Sequence, residues 1–271
     1  IMQHKGSSEC DSRLPAWQGD ELCGFEKLPY DRFGAKQSSL VDAQQAPASS
    51  YVRWALGEGL RVQARLGANP FHFGVIASTD THIAAPGLTA EEGHPGHGGA
   101  GRMEAWGAAD PAGFSDDLEY GPGGLAVLWA EENRRDALFA AMQRREAYAT
   151  SGTRPRVRFF GGWNYPDSLC GAPDTVAQGY AGGVPMGGDL ASRPEGHTGG
   201  PRFLVSALRD PGTAKDAGAS LERIQIIKGK LSGGDVQEQV LTVAGGDNGA
   251  GVDLGTCERT GRGAASLCTV W

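Results

Sequence analysis

An α/β half over residues 1–164 followed by a β-rich half over residues 165–271 is the fold class this sequence predicts. Three observations predict it. Tyr51–Leu66 has amphipathic helical spacing and leads directly into a short apolar run, Asn69–His82. Helix followed by strand is the alternation of a parallel sheet or barrel. The order recurs when a second helix, Glu132–Ala147, precedes an alternating segment, Arg154–Trp163. Beyond residue 164 helical periodicity stops, and short strand candidates lie between Gly-rich turns, the pattern of a β-rich domain.

Composition narrows the classes. The 271 residues suffice for one large domain or two modest ones, and 39% are hydrophobic, enough for a core. With 43 Gly and 15 Pro, turns and loops should outweigh long helices. A net charge of −7 and a pI near 5.4 lack the basic footprint that nucleic-acid binding needs. No stretch is apolar for long enough to span a membrane. The sequence opens at Ile1 inside what reads as a strand and closes on strand-like Thr269-Val270-Trp271, so it reads as part of a longer protein. Of the five cysteines, Cys10 and Cys23 flank one loop, Cys257 and Cys268 flank another, and Cys170 is left over. The spacings do not fit a zinc ribbon. Local disulfides Cys10–Cys23 and Cys257–Cys268 are expected if the protein is exported, which slightly favours a periplasmic or secreted location; reduced cysteines are the other reading.

The elements follow in order. Residues 1–10 read as a strand end entering a polar loop, and residues 11–48, with Pro15, Pro29 and Pro47, as irregular chain. Ser49 or Ser50 would cap the first helix, which buries Val52, Leu56 and Leu60, and Gly67 would end it. Asn69–His82, bounded by Pro70 and rich in Phe, Val and Ile, reads as a buried strand. Residues 83–124 form a long Gly-, Ala- and Pro-rich loop carrying His94 and His97. Gly124–Trp129 is a short apolar segment. The second helix buries Leu138, Ala141 and Met142 and places Arg144 and Arg145 at its C-terminus. In Arg154–Trp163, Val157 and Phe159 share one face and Arg156 and Arg158 the other. Phe203–Leu208, Leu221–Lys228 and Val236–Val243 are further strands, the last two joined as a hairpin around Gly233-Gly234 by a connection longer than a minimal turn.

Several residues carry candidate chemistry. Asp80 and His82 end the apolar run two residues apart and face one side if the backbone stays extended. A carboxylate and an imidazole there can hold a divalent metal, and strand ends are where α/β folds place ligands. A loop carboxylate bonded to nearby backbone accounts for the same residues. His4 and Glu9 would add a second imidazole and carboxylate with Lys5 between them, but also read as surface polar groups. His94, His97 and His197 are poor metal scaffolds, since ordering a Gly-rich loop costs entropy. His72, inside the apolar run, reads as a packed histidine. Tyr148–Arg154 offers hydroxyls and Arg154 to an anionic group, or is a turn bending at Gly152. Neither a Gly-x-Ser-x-Gly elbow nor a Walker loop occurs, and Gly182–Gly188 reads as a turn rather than a phosphate cradle.

Taken together, Gln3–Cys10, Asp20–Glu26, Asn69–His82, Arg145–Arg154 with Phe159–Trp163, and Leu221–Gly229 resemble, in order, the large and mostly bacterial family catalogued as domain of unknown function 3604. That family is related to the polymerase-and-histidinol-phosphatase (PHP) metallohydrolases and to their carbaryl-hydrolase-type branch. The resemblance implies the C-terminal part of a distorted, TIM-like PHP barrel with a metal cluster at its mouth, followed by a β-rich, sandwich-like domain. It maps a late Asp-x-His ligand pair onto Asp80 and His82, and a Glu ligand onto Glu9, with His4 beside it. The family's opening His-x-His has no counterpart here. Thr79 stands where Ser is expected, Ile83-Ala84 replace a small polar continuation, and the Gly-rich insert is longer than the pattern.

Two functions follow as expectations. In the first, the intact protein is a metal-dependent hydrolase of a phosphoester, ester, amide or carbamate in a small-molecule substrate. Two or three Zn, Mn or Fe ions would activate water, Asp80, His82, Glu9 and His4 would hold metal, and Arg154 or Lys5 would meet the substrate. This fragment alone is expected to be inactive. In the second, the chain is a non-catalytic remnant whose residues 165–271 form a binding or interaction module.

Overall fold

The computed structural model describes residues 1–4, 6–27, 46–80, 87, 89, 122–215, 217–256 and 258–271. Lys5, His82, His94, His97 and Cys257 lie outside the described residues. The chain is mixed helix and strand, built mostly from small antiparallel sheets, and forms no closed barrel among the described residues. It divides into two compact units. One comprises Ile1–Val127, Ala149–Thr153 and Gly229–Glu238; the other comprises Leu128–Tyr148, Arg154–Lys228 and Gln239–Trp271.

In the first unit, strands β1 (Met2–Gln3) and β2 (Gly6–Ser7) form an antiparallel pair with Gln3 opposite Gly6, and His4 directly follows β1. Cys10–Cys23 is a disulfide, as the sequence suggests, and packs with Trp17 and Tyr51 in a small core. Helix α1 (Val52–Leu66) follows. Neither Ser49 nor Ser50 caps it. Its N-cap is Tyr51, and the first N–H groups, of Val52 and Arg53, donate to the carbonyls of Ser8 and Glu9, which do the work of a side-chain cap. Gly67 ends it at φ 78°, in the left-handed region that glycine reaches without penalty. The buried face differs from the expected one. Arg53, Gly57 and Gly59 are buried, while Leu56 is exposed. Gly57 lets Val236 approach so closely that a Cβ would stand 3.0 Å from a Val236 methyl, and Arg53 meets carboxylates from three other segments. Glycine and an ion cluster, rather than leucines, make this surface.

Asn69–Asp80 forms no strand ladder: Pro70 and Phe71 make a turn, Asp80 has φ 60°, and Phe73 and Ile76 are exposed where a buried strand is expected. Only Ala77 and Thr79 turn inward, the period of two confined to the last residues.

Strand β3 (Ala126–Leu128) pairs with β4 (Ala147–Ala149). Trp129 N–H donates to the Glu146 carbonyl and Thr150 N–H to that of Leu125, the register of an antiparallel pair. The helix between them, α2 (Arg135–Gln143), is shorter than expected and buries Ala141 but leaves Met142 and Phe139 exposed. Arg145 at φ 59° turns the chain out of the helix, which places Ala147 in a strand. Glu146, buried, accepts from the Tyr180 hydroxyl and lies 3.4 Å from Arg144 and 4.0 Å from Arg158, whose guanidinium covers the Trp129 ring.

The second unit is built on β5 (Arg156–Gly162), which lies between two neighbours. Helix α3 (Thr175–Gly182) is one more helix than the periodicity suggests after residue 164. It leads into β6 (Gly183–Pro185), so Gly182–Gly188 is helix end, strand and turn. Next come β7 (Arg202–Leu208) and the hairpin β8 (Arg223–Ser232) and β9 (Asp235–Gly245), of which Gly229–Glu238 belongs to the first unit. Gly233 and Gly234, at φ 61° and 91°, form a minimal two-residue turn, not the longer connection expected. Strands β10 (Gly251–Val252) and β11 (Arg259–Thr260) pair before β12 (Ser266–Val270). The main sheet has the order β12-β7-β5-β6.

Its two faces alternate by residue. Val157, Phe159, Phe203, Val205, Ala207 and Leu267 pack with Ile224, Ile226 and Val243 of the β8–β9 hairpin. Phe160, Leu204, Cys268 and Val270 face the opposite way, onto Tyr165, Leu169 and Cys170. Cys170 therefore meets Cys268, and these two form the second disulfide, not Cys257 with Cys268. The strand period decides this pairing, since it aims Cys268 at the layer holding Cys170. Two disulfides weakly suggest an oxidising location. No helix among the described residues is long and apolar enough to cross a membrane.

Candidate functional site

In the first unit, backbone hydrogen bonds draw three segments together. Ser78 N–H donates to the Met2 carbonyl at 3.0 Å, His4 N–H to the Thr79 carbonyl at 3.1 Å, and Gly124 N–H to the Ser78 carbonyl at 3.2 Å. His4, at the end of β1, thus lies beside the residue that precedes Asp80. Its side chain is fully buried. Asp80 sits at φ 60°, a conformation that Asp adopts more readily than most residues. The extended alternation that would aim Asp80 and His82 to one side therefore stops at Asp80 itself.

Two glycines permit this approach. A Cβ on Gly123, at φ 74°, would lie 2.7 Å from His4 Cδ2 and 3.0 Å from Thr79 Cα. One on Gly124 would lie 2.1 Å from the Thr150 carbonyl oxygen and 2.6 Å from Ala77 Cβ. Thr150 closes the site with its Oγ1, which accepts the Leu125 N–H at 3.0 Å. Gly124→Ala is expected to destabilise the protein by about 1–3 kcal/mol through overpacking against backbone. Urea denaturation checks this, and an unchanged midpoint would refute the close approach.

The other predicted residues are placed differently. Glu9 Oε1 is gripped by Arg53, 2.8 Å from Nε and 2.7 Å from a terminal nitrogen. Arg154, in the second unit, donates its backbone N–H to Asp210 at 2.8 Å, beside a bend at Gly152 with φ 100°. His72 is exposed, and His197 belongs to a recess of the second unit. Among the described residues the one group with metal-ligand spacing is Cys10, Asp20 and Cys23, but its two sulfurs are joined to each other and offer no thiolate.

Elsewhere in the first unit, Asp11 is almost fully buried and accepts from the Arg13 guanidinium and from the Tyr51 hydroxyl at 3.0 Å. Burial pushes the Asp11 carboxyl up, but these donors outweigh it and hold the pKa at about 2. Burial also draws the Lys27 ammonium down from its usual value; its Nζ donates to the Ser7 carbonyl and lies 4.7 Å from the Tyr51 ring centre. Sequence reasoning missed Arg53, Asp11 and the glycine pair. The run Gly121-Pro-Gly-Gly124 is a signal for the last, since consecutive glycines mark close backbone approach.

No curated protein and no solved structure matches the chain. A family model described as "Protein of unknown function (DUF3604)" matches residues 1–271, and the chain belongs to that family.

Proposed function

We propose that the intact protein is a metal-dependent hydrolase of the PHP type. The observation that carries this reading is the fully buried His4 imidazole, bonded through its backbone to the residue before Asp80. An imidazole, the Asp80 carboxylate and, two residues on, the His82 imidazole are a nitrogen–oxygen donor set suited to Zn, Mn or Fe. The residue types suit such an ion. Burial limits the freedom of His4, and the glycines at 123 and 124 hold the segments close without side chains of their own.

A bound divalent ion would supply Lewis acidity and ionise water near neutral pH. The chain's own part is to hold and orient. His4, Asp80 and His82 hold the ion. Glu9 has one oxygen committed to Arg53. Lys5, between His4 and Glu9 in sequence, meets an anionic group of a small phosphoester, ester, amide or carbamate. The reading carries with it a PHP barrel to which the first half of this chain contributes, and a periplasmic or secreted location in keeping with the disulfides.

The test is metal content of the full-length protein by elemental mass spectrometry. Asp80→Ala, His82→Ala and His4→Ala are each expected to lose most of the bound metal and the hydrolytic activity. Unchanged metal content in both Asp80→Ala and His82→Ala sinks the assignment.

A further inference from the structure

The second unit holds a recess of about 600 Å³ lined by Trp163, Asn164, Tyr165, the loop 197–202 and Trp271. Its size falls within the range of small-ligand sites, roughly 300–1,000 Å³. We propose that this recess binds a neutral oligosaccharide.

The aromatic walls are fixed in place. Trp271 exchanges both backbone hydrogen bonds with Phe203, at 2.8 and 2.9 Å, extending the β12–β7 ladder. Its ring stacks on Phe203 at 6.0 Å and remains 39% exposed. Trp163 donates its indole N–H to the Ala191 carbonyl at 3.1 Å and meets the His197 ring edge-on at 5.4 Å. Buried Tyr165 gives its hydroxyl to the Gly179 carbonyl, so that hydroxyl is not a donor to a ligand. Rings held this way lose little entropy when a ligand arrives.

The polar groups and the charge balance select the ligand class. Asn164 and Thr198 are exposed beside the rings and offer short donors and acceptors. Arg202 is the charged residue of the lining, and Asp167 pairs with it. No carboxylate side chain is among the lining residues. The Arg202 cation is already engaged by Asp167, and the Lys228 ammonium stands 5.8 Å from the Trp271 ring centre. A pyranose ring has an apolar face for indole and hydroxyls at its edge for amide and hydroxyl groups, which matches this mixture. The long irregular connection between β6 and β7, from Met186 to Pro201, supplies one wall; connections of that length are commonly functional.

The experiment is titration of the full chain with neutral hexasaccharides (cellohexaose, maltohexaose, xylohexaose and chitohexaose), read by calorimetry. Saturable binding of at least one is expected, weakened about tenfold or more by Trp271→Ala and by Trp163→Ala. Asn164→Ala and Thr198→Ala, at exposed positions, should weaken it less without affecting folding. Circular dichroism and an intact Cys170–Cys268 bond establish that each variant is folded. Absence of saturable binding across the panel, or wild-type affinity in a folded Trp271→Ala variant, overturns the proposal. Equal binding of a proline-rich peptide and the sugars overturns it as well. Metal removal should leave sugar binding intact, so this result is separable from the fate of the metal site.

Discussion

Serine at both Cys170 and Cys268 is expected to cost the second unit about 2–5 kcal/mol and to lower its melting temperature by roughly 5–15 °C. The bond ties the 3-10 turn Asp167–Gly171 to β12 across 98 residues of sequence. A cross-link restricts the unfolded chain more as the loop it closes lengthens, and a loop of about 100 residues corresponds to about 4.7 kcal/mol in the chain-entropy account. Both cysteines also lie against the core of Phe160, Leu169 and Leu204. The Cys10–Cys23 bond closes only 13 residues, for which the same account gives about 3 kcal/mol. The long bond should therefore matter more. Calorimetry of the oxidised protein against the double serine variant measures the loss. An unchanged melting temperature, or a non-reducing peptide map joining Cys257 to Cys268, would contradict the expected effect.

That pairing illustrates what was legible in the sequence. Strands β5, β7, β8, β9 and β12 stand where alternation or β-rich runs mark them, because a two-sided sheet writes its period into the residues themselves. Which cysteine faces which is a matter of register between distant strands, and spacing along the chain does not encode it. Helix α1 and its Gly67 stop were legible for the same local reason. Its buried face was not, since Gly57 and Arg53 owe their burial to Val236 and to three carboxylates far away in sequence. The antiparallel return of β4 onto β3 was hidden too. Helix and strand in alternation suggest a parallel crossover, whereas Arg145 at φ 59° turns the chain back.

The candidate site divides in a similar way. Asp80 ends a recognisable apolar run, and His4 lies in a stretch with family resemblance, so both could be named from residue type and order. Their proximity depends on the Thr79 carbonyl and on Gly123, neither of which carries chemistry of its own. Glu9 shows the opposite problem. As a carboxylate after a strand end it reads as a ligand, but its first partner is Arg53, a helix residue 44 positions away.

Arg53→Met is expected to destabilise the protein by about 3–5 kcal/mol, the range for removing one partner from a buried ion cluster. The guanidinium is 7% exposed and meets Glu9 at 2.7 Å, Asp20 at 2.6 Å and Glu238 at 3.0 Å. Methionine keeps the apolar stem and length but leaves three carboxylates without this cation, and Asp20, at 9% exposure, has little access to water. Arg53→Lys should recover only part of the loss, because one ammonium cannot reproduce a planar fork that serves three acceptors. Neutralising the acids separates the causes. If stranded charge dominates, adding Asp20→Asn to Arg53→Met should restore roughly 1–2 kcal/mol, whereas lost packing would leave the deficit unchanged. The cluster joins the segment holding Glu9 to α1 and to the tip of the β8–β9 hairpin, so the same variant should loosen Glu9. Urea denaturation gives the free energies, and hydrogen exchange at Val52 and Arg53, whose amides donate to Ser8 and Glu9, reports whether that anchorage is lost. A variant with wild-type stability and unchanged exchange at both amides would show that Arg53 does not hold these segments together.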